Sequence, residues 1–190
     1  MMTKSELRSH FRNAREDFVS KCNSSQRNAA ESALVRLIQA ADLLTGIVGG
    51  YDAMTSEIDP LETLNSYREN GGQIALPFFA DREAAMQFRE WNGEPLSAAP
   101  FGLRQPAGNT HQMAPDTLLI PLVAVDLAGN RIGQGQGHYD RYLSENREER
   151  PITTIGLAWE CQIAEEIPAD PWDEPLDYIA TPERLIKVTS

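Results

Sequence analysis

The chain has 190 residues, of which 41% are hydrophobic and 24% charged, and a net charge of −11 at pH 7. That is enough for one domain with a buried core over residues 1–190, and it disfavours disorder and fibrous repeats. So acidic a chain is a poor match for sequence-independent nucleic-acid binding, and no apolar run approaches the roughly 20 residues that span a bilayer.

Charge is unevenly distributed. Residues 1–30 carry six Lys/Arg against three acids, whereas residues 151–190 carry two against eight. The first segment can therefore supply the local basic patch that a small anionic ligand needs. Cys22 and Cys161 lie far apart without metal-ligand spacing, so neither a disulfide framework nor a cysteine zinc site is expected. A reducing cytoplasm fits, and the charged opening residues have no apolar core that would read as a secretory signal.

In chain order, Leu7, Phe11 and Phe18 recur at near-helical spacing and predict an amphipathic first helix. Lys4, Arg8, Arg12 and Arg15 form a second stripe on it. A second helix is expected from about Gln26 to Leu44, with Ala30, Leu34, Leu37, Ile38, Ala41 and Leu44 on one face. Residues 46–51 read as a buried strand, and Asp59-Pro60 opens a third helix that ends near Asn70-Gly71-Gly72. Ile74–Phe79 follows as a strand.

Residues 80–116 predict short strands and loops. Thr117–Val125 is the strongest strand signal, and the glycine-rich stretch 133–137 leads into a helix of about His138–Asn146. Ile152–Ala158 reads as another strand. The last forty residues predict a short helix, an acidic Pro-rich loop and closing strands at Tyr178–Ala180 and Arg184–Val188. Helix alternating with strand argues for an α/β fold with a parallel-rich sheet covered by helices.

The most informative segment is Arg131-Ile132-Gly133-Gln134-Gly135-Gln136-Gly137-His138-Tyr139-Asp140-Arg141. Alternating glycines before a helix can turn backbone N–H groups inward beside the positive end of the helix dipole, which makes a phosphate cradle. The spacing matches neither a Walker A loop nor the dinucleotide fingerprint. A flexible turn is the competing reading on glycines alone. Asp140 falls in the first helical turn, where its carboxylate is placed to hold Mg²⁺ beside phosphates or simply to complement the helix dipole.

This segment is part of a wider resemblance. Lys4-Ser5-Glu6-Leu7-Arg8, Tyr51 followed by Ser56-Glu57-Ile58-Asp59, Phe101-Gly102-Leu103-Arg104-Gln105-Pro106, Ile120–Asp126 through Arg141, and Pro171–Asp177 occur in the order seen in the 5-formyltetrahydrofolate cyclo-ligase family, which the chain resembles over nearly its whole length. The resemblance implies a single three-layer α/β/α domain with a mostly parallel central sheet. It also implies cyclisation of 5-formyltetrahydrofolate to 5,10-methenyltetrahydrofolate at the expense of ATP, through a phosphorylated formyl group. Partners would be ATP and the folate, with no nucleic acid and no membrane, in a cytoplasmic monomer or weak homodimer.

Residue by residue, the resemblance implies ATP contacts at Lys4, Arg8, Arg131, Gly133, Gln134, Gly135, Gln136, Gly137, His138 and Tyr139. Tyr139 and Arg8 would serve the reaction itself. Asp140 and Asp173 would hold Mg²⁺, and Glu57, Phe101 and Met54 would contact the folate. Without the resemblance, Asp173 reads as part of a solvated acidic tail, and Phe101 as a core residue. Gln134, Gln136, His138 and Trp172 depart from the family pattern, which leaves open a non-catalytic folate- or nucleotide-binding relative. A related α/β enzyme acting on a phosphorylated sugar or a thioester is the third reading.

Overall fold

In the computed structural model, the described residues 2–189 form α1 (Lys4–Lys21), α2 (Ser24–Ala40), β1 (Ile47–Gly49), α3 (Leu61–Glu69), β2 (Gln73–Phe78), β3 (Gln87–Glu90), β4 (Ser97–Ala98), β5 (Arg104–Gln105), β6 (Gln112–Met113), β7 (Thr117–Pro121), β8 (Ala124–Val125), β9 (Arg131–Ile132), α4 (His138–Asn146), β10 (Thr153–Leu157), β11 (Tyr178–Ala180) and β12 (Leu185–Lys187). The main sheet has the order β12-β11-β10-β7-β1-β2-β3-β6. Its five central strands, β11, β10, β7, β1 and β2, are parallel. The edges β12, β3 and β6 are antiparallel.

Alternation along the strands divides the core between two faces. Ile74, Leu76, Leu119, Ile155 and Leu157 join Leu34 and Ile38 of α2 and Leu64 of α3. Ala75, Leu118, Ile120 and Ile179 join Tyr142 and Leu143 of α4. The result is helix, sheet, helix, as the sequence predicts. The N-terminal part of α1 packs on the small β8–β9 ribbon, with Leu7 against Val123, Ala124 and Ile132, while Val19 near its end reaches the first core face.

Local chemistry explains the helix starts. Thr3 and Glu6 form a reciprocal capping box at α1, and Asn23 and Gln26 do the same at α2. At α3, Asp59 Oδ1 accepts from the Leu61 N–H at 2.9 Å.

Several expectations are corrected. α2 ends at Ala40, not Leu44, because the chain turns through Asp42 at φ 50°. The run Thr117–Val125 is not one strand: β7 stops at Pro121 and β8 belongs to the ribbon. The Leu122 carbonyl is taken by Arg15 Nη1 at 3.1 Å and Gln162 Nε2 at 2.8 Å, and the Val123 N–H donates to Ile132 at 2.7 Å. The short helix near the end is a single 3₁₀ turn, Glu160–Gln162. Phe18 is 39% exposed instead of being a core residue, although its ring packs 5.4 Å from that of Trp159.

Candidate active site

The chain leaves β1 toward β2 through α3 and leaves the neighbouring β7 toward β10 through α4, so the strand order reverses between β1 and β7. Ligand sites in open α/β sheets form at such switch points, outside the carboxyl ends of the strands. A cavity of about 930 Å³ opens there. Tyr51, Asp52, Met54 and Glu57 after β1, Phe79 after β2 and Leu122 after β7 line it. The remaining wall comes from α1, the β4–β5 hairpin, the glycine-rich loop, the start of α4 and the acidic segment around Asp173. All the site residues read from the sequence line this one cavity.

One end is cationic. α1 lies over the glycine-rich loop, with Arg8 Nε donating to the Gly133 carbonyl at 2.9 Å and Arg12 Nη2 to Gln134 Oε1 at 2.8 Å. Gly135 and Gly137 adopt φ of +98° and +65°, a region that favours glycine, while Gly133 does not. Gln136 sits between these two glycines and also lines the cavity. Gly137 caps α4 without a side-chain acceptor, so the first-turn N–H groups of His138, Tyr139 and Asp140 are left for a ligand. Arg131, its side chain 5% exposed, donates through Nη2 to Asp140 Oδ1 at 2.7 Å and through Nη1 to the Glu174 carbonyl. Burial lowers its pKa, and the Asp140 charge opposes that.

Glu57 supplies a buried carboxylate to the cavity wall. It is 5% exposed, and its Oε2 accepts from the Met54 N–H at 3.0 Å while Oε1 accepts from Gln134 Nε2 at 3.2 Å. Arg15 Nη1 lies 3.8 Å from Oε1. Arg15 is itself buried, donating to Ser56 Oγ at 3.0 Å and to the Leu122 carbonyl. Sequence spacing assigns Arg15 only a place on the basic stripe; the structure turns it inward against Glu57. Its position four residues after Phe11 and eight after Leu7, on the apolar side of the helix, is the local signal for that inward turn.

The other end is aromatic. Phe101, at φ 64° in the turn between β4 and β5, is a strained non-glycine residue. Its ring meets that of Phe79 edge-on at 5.6 Å, and the His138 ring packs on both, at 4.7 Å from Phe79 and 5.2 Å from Phe101. A paired Arg104 and Asp52, with contacts of 2.8 and 2.6 Å, ties the hairpin to the segment after β1. Two buried polar atoms on the wall have no partner among the described residues: His138 Nε2 and Tyr139 Oη. Burial pushes the Tyr139 hydroxyl well above its ordinary pKa, and burial and then Arg141 lower that of His138.

Asp140 and Asp173 are both engaged by cations. Asp173 Oδ2 pairs with Lys4 Nζ and accepts from the Asp170 N–H at 2.7 Å; Lys4 also reaches Asp170 at 2.6 Å. Among the described residues no group of three or more His, Cys, Asp or Glu side chains is arranged to hold a metal. Asp140 Oδ2 and Asp173 Oδ1 nonetheless accept no hydrogen bond from the described residues. Such a donor set fits Mg²⁺ arriving on a phosphate chain, which needs only one or two protein carboxylates, better than a resident ion.

These features define an α/β protein with a ligand cavity at the switch point of its sheet. The chain belongs to the 5-formyltetrahydrofolate cyclo-ligase family, whose model matches residues 1–182. It is 41% identical over 86 residues to the 5-formyltetrahydrofolate cyclo-ligase of Haemophilus influenzae, a stretch covering 43% of this chain and 46% of that one. It is 32% identical over 148 residues to the enzyme of that name from Mycolicibacterium smegmatis, covering 73% and 75%. The match therefore spans less than half the length of the first relative and three quarters of the second. The fold is that of the 5,10-methenyltetrahydrofolate synthetase of Aquifex aeolicus, with a TM-score of 0.79 at 24% identity over 100% of this chain and 94% of that one. The Mycoplasma pneumoniae synthetase superposes with a TM-score of 0.69 at 22% identity over 95% and 99%.

Proposed function

We propose that the protein is an ATP-dependent 5-formyltetrahydrofolate cyclo-ligase of one-carbon folate metabolism. The observation that carries this reading is the single cavity lined both by Lys4, Arg8, Arg131 and the glycine-rich loop and by Phe79, Phe101, Met54 and the Glu57 carboxylate. The names of the relatives supply the substrate, and the two ends supply a place for each reactant.

At the first end, Lys4, Arg8 and Arg131 neutralise the ATP phosphates, and N–H groups of residues 133–139 cradle them. At the second, Glu57 accepts from the pterin N–H groups, while Phe101 and Met54 pack on the ring. The formyl oxygen attacks the γ-phosphorus of ATP and ADP leaves, which converts a poor leaving group into a phosphate ester. N10 then attacks the formyl carbon, the C–O bond breaks, and N10 gives up its proton. The products are 5,10-methenyltetrahydrofolate, ADP and phosphate. Tyr139, protonated in its buried position, has a hydroxyl with no partner among the described residues, and it donates to the oxygen that changes partners.

Mg²⁺, when bound, neutralises developing charge on the phosphates. Asp140 and Asp173 would hold it, and Lys4 exchanges its bridge to Asp173 for a phosphate oxygen. A chemistry of this kind asks for positioning and charge neutralisation more than for a covalent protein intermediate. The same reading gives a cytoplasmic protein, monomeric or weakly dimeric, with ATP and the folate as partners. No helix among the described residues is long and apolar enough to cross a membrane.

The test is the purified protein with 5-formyltetrahydrofolate and Mg-ATP, followed by the rise of the methenyl chromophore and of ADP. Both are expected to rise together in equal amounts. Folate binding without turnover would sink the enzyme reading and favour a sequestering relative.

A further inference from the structure

Arg147 caps the C-terminal end of α4 and lies outside the cavity lining. Its Nη1 donates to Glu174 Oε2 at 3.0 Å and to the Pro175 carbonyl at 3.3 Å. Its Nη2 donates to Thr154 Oγ1 at 3.1 Å and to Asp177 Oδ2 at 3.0 Å. A planar fork between two carboxylates fixes direction as well as distance. The acidic segment is thereby clamped to α4 about 10 Å along the helix axis from Asp140, on the same face.

Glu174 is where that segment meets the cavity. Its N–H donates to Asp140 Oδ1 at 3.3 Å, its carbonyl accepts from Arg131 Nη1, and it directly follows Asp173. One residue therefore sets Asp140 on α4 in register with Asp173 on the segment. Among the described residues, the Glu174 carboxylate is bonded by Arg147 alone. The residues that follow do not depend on that bond. Leu176 is buried and its N–H donates to the Gly129 carbonyl at 3.0 Å, while Asp177 Oδ2 accepts from the Thr154 N–H and hydroxyl, each at 2.8 Å. Loss of Arg147 thus frees the Glu174 end and leaves the entry to β11 in place.

We propose that Arg147 is a positioning residue for the metal-bearing end of the cavity: through Glu174 it sets where Asp173 stands relative to Asp140, and so the affinity for nucleotide that carries Mg²⁺. Two carboxylates on separate elements can serve one Mg²⁺ only if those elements are held in register, because the ion demands near-ideal octahedral geometry. This assignment rests on the ATP and Mg²⁺ reading above and adds to it a residue that lies outside the cavity.

Calorimetry of ADP binding, in Mg²⁺ and in EDTA, tests it without turnover. In Arg147→Met the Kd for Mg-ADP is expected to rise about tenfold, the lower end of what removing an outer partner of a metal ligand costs. The Kd values for ADP in EDTA and for 5-formyltetrahydrofolate should stay within about twofold, because Arg8 keeps its bond to Gly133 and Arg131 its bond to Asp140. Arg147→Lys keeps a charge for Glu174 but not the fork, and should recover part of the loss. Glu174→Gln leaves every backbone contact in place and should show the same metal-specific loss in smaller measure, so the test stands even if the Met variant does not fold.

Unchanged Mg-ADP affinity in the Met variant, or in the Gln variant if the Met variant does not fold, would overturn this assignment alone. So would an equal loss in Mg²⁺ and in EDTA, which would make Arg147 a support for the whole cavity. If Mg²⁺ does not tighten ADP binding to the wild-type protein, the metal reading falls first, and this one with it.

Discussion

The guanidinium of Arg15 lies 3.8 Å from the carboxylate of Glu57, and both side chains are almost entirely buried. Arg15 also donates to Ser56 and to the Leu122 carbonyl, so one side chain joins α1, the turn before α3 and the end of β7. Removing one member of a buried pair strands the other charge. Arg15→Met is therefore expected to lose about 3–5 kcal/mol of unfolding free energy in urea titrations. Arg15→Lys keeps a charge but not the fork and should fall between. Loss of less than about 1 kcal/mol in the Met variant, the range of an exposed pair, would refute the buried-pair account.

Glu57→Gln keeps the shape of the side chain but removes its charge. Because it leaves Arg15 unpaired it should also lower stability, so activity is compared under conditions where the variant is fully folded. Hydrogen bonds to a charged group contribute about 1.5–3 kcal/mol, so kcat/KM for the folate should fall roughly 10- to 150-fold. The KM for ATP should not move. Equal loss on both substrates would mean that Glu57 supports the whole cavity rather than one reactant.

Tyr139 Oη is buried without a partner among the described residues. If its role were structural, removing the hydroxyl would be harmful to the fold. The opposite is expected: Tyr139→Phe should unfold at the same or a higher denaturant concentration, gaining up to about 1–3 kcal/mol from the penalty removed. Turnover should nevertheless drop at least tenfold, roughly the size of a lost general-acid or donor contribution. Retained turnover would assign the hydroxyl no part in the reaction.

Much of this arrangement was legible in the sequence, and the exceptions have a common cause. α4 runs from His138 to Asn146 as read, because the glycines before it and the apolar spacing within it are local signals. The glycine-rich loop, Asp140 and Asp173, which the motifs list in a fixed order along the chain, line one cavity. Spacing from Leu7 and Phe11 puts Arg15 on the apolar side of α1, but its partners were not legible, because Ser56 and Leu122 lie 41 and 107 residues away. For the same reason the apolar run through Thr117–Val125 read as one strand: nothing local shows that side chains from α1 and the 3₁₀ turn claim the Leu122 carbonyl. Periodicity reports which face is apolar, not which backbone groups are already taken.

Lys4 bridges Asp170 and Asp173 beside the exposed Trp172. Burial lowers the Lys4 pKa, but hydrogen bonds to both carboxylates and their charges more than offset it, so the folded value stands above 10.5. The stabilisation from a raised pKa is complete below 10.5 and is lost as pH climbs through the folded value. The acidic segment is therefore expected to loosen only above that pH. Trp91 and Trp159 are buried, so Trp172 emission reports the change. Lys4→Met should show the loosened emission already at neutral pH and no alkaline step; an unaltered step would place the transition elsewhere.

The three loop glycines should fail in different ways. At Gly135 and Gly137, φ of +98° and +65° strains any side chain. Alanine there is expected to cost about 1–2 kcal/mol of stability, more at Gly135, whose angle lies beyond the left-handed helical basin. Gly133 has an ordinary φ, and an added Cβ would meet nothing within 4 Å. Gly133→Ala should therefore keep native stability in urea titrations. Its new methyl group still projects where the loop must admit a phosphate, so the KM for ATP should rise by an order of magnitude with the folate KM unaffected. That pattern separates a glycine kept for the backbone from one kept for the ligand. If Gly133→Ala binds ATP normally, the open space beside it does not receive the nucleotide.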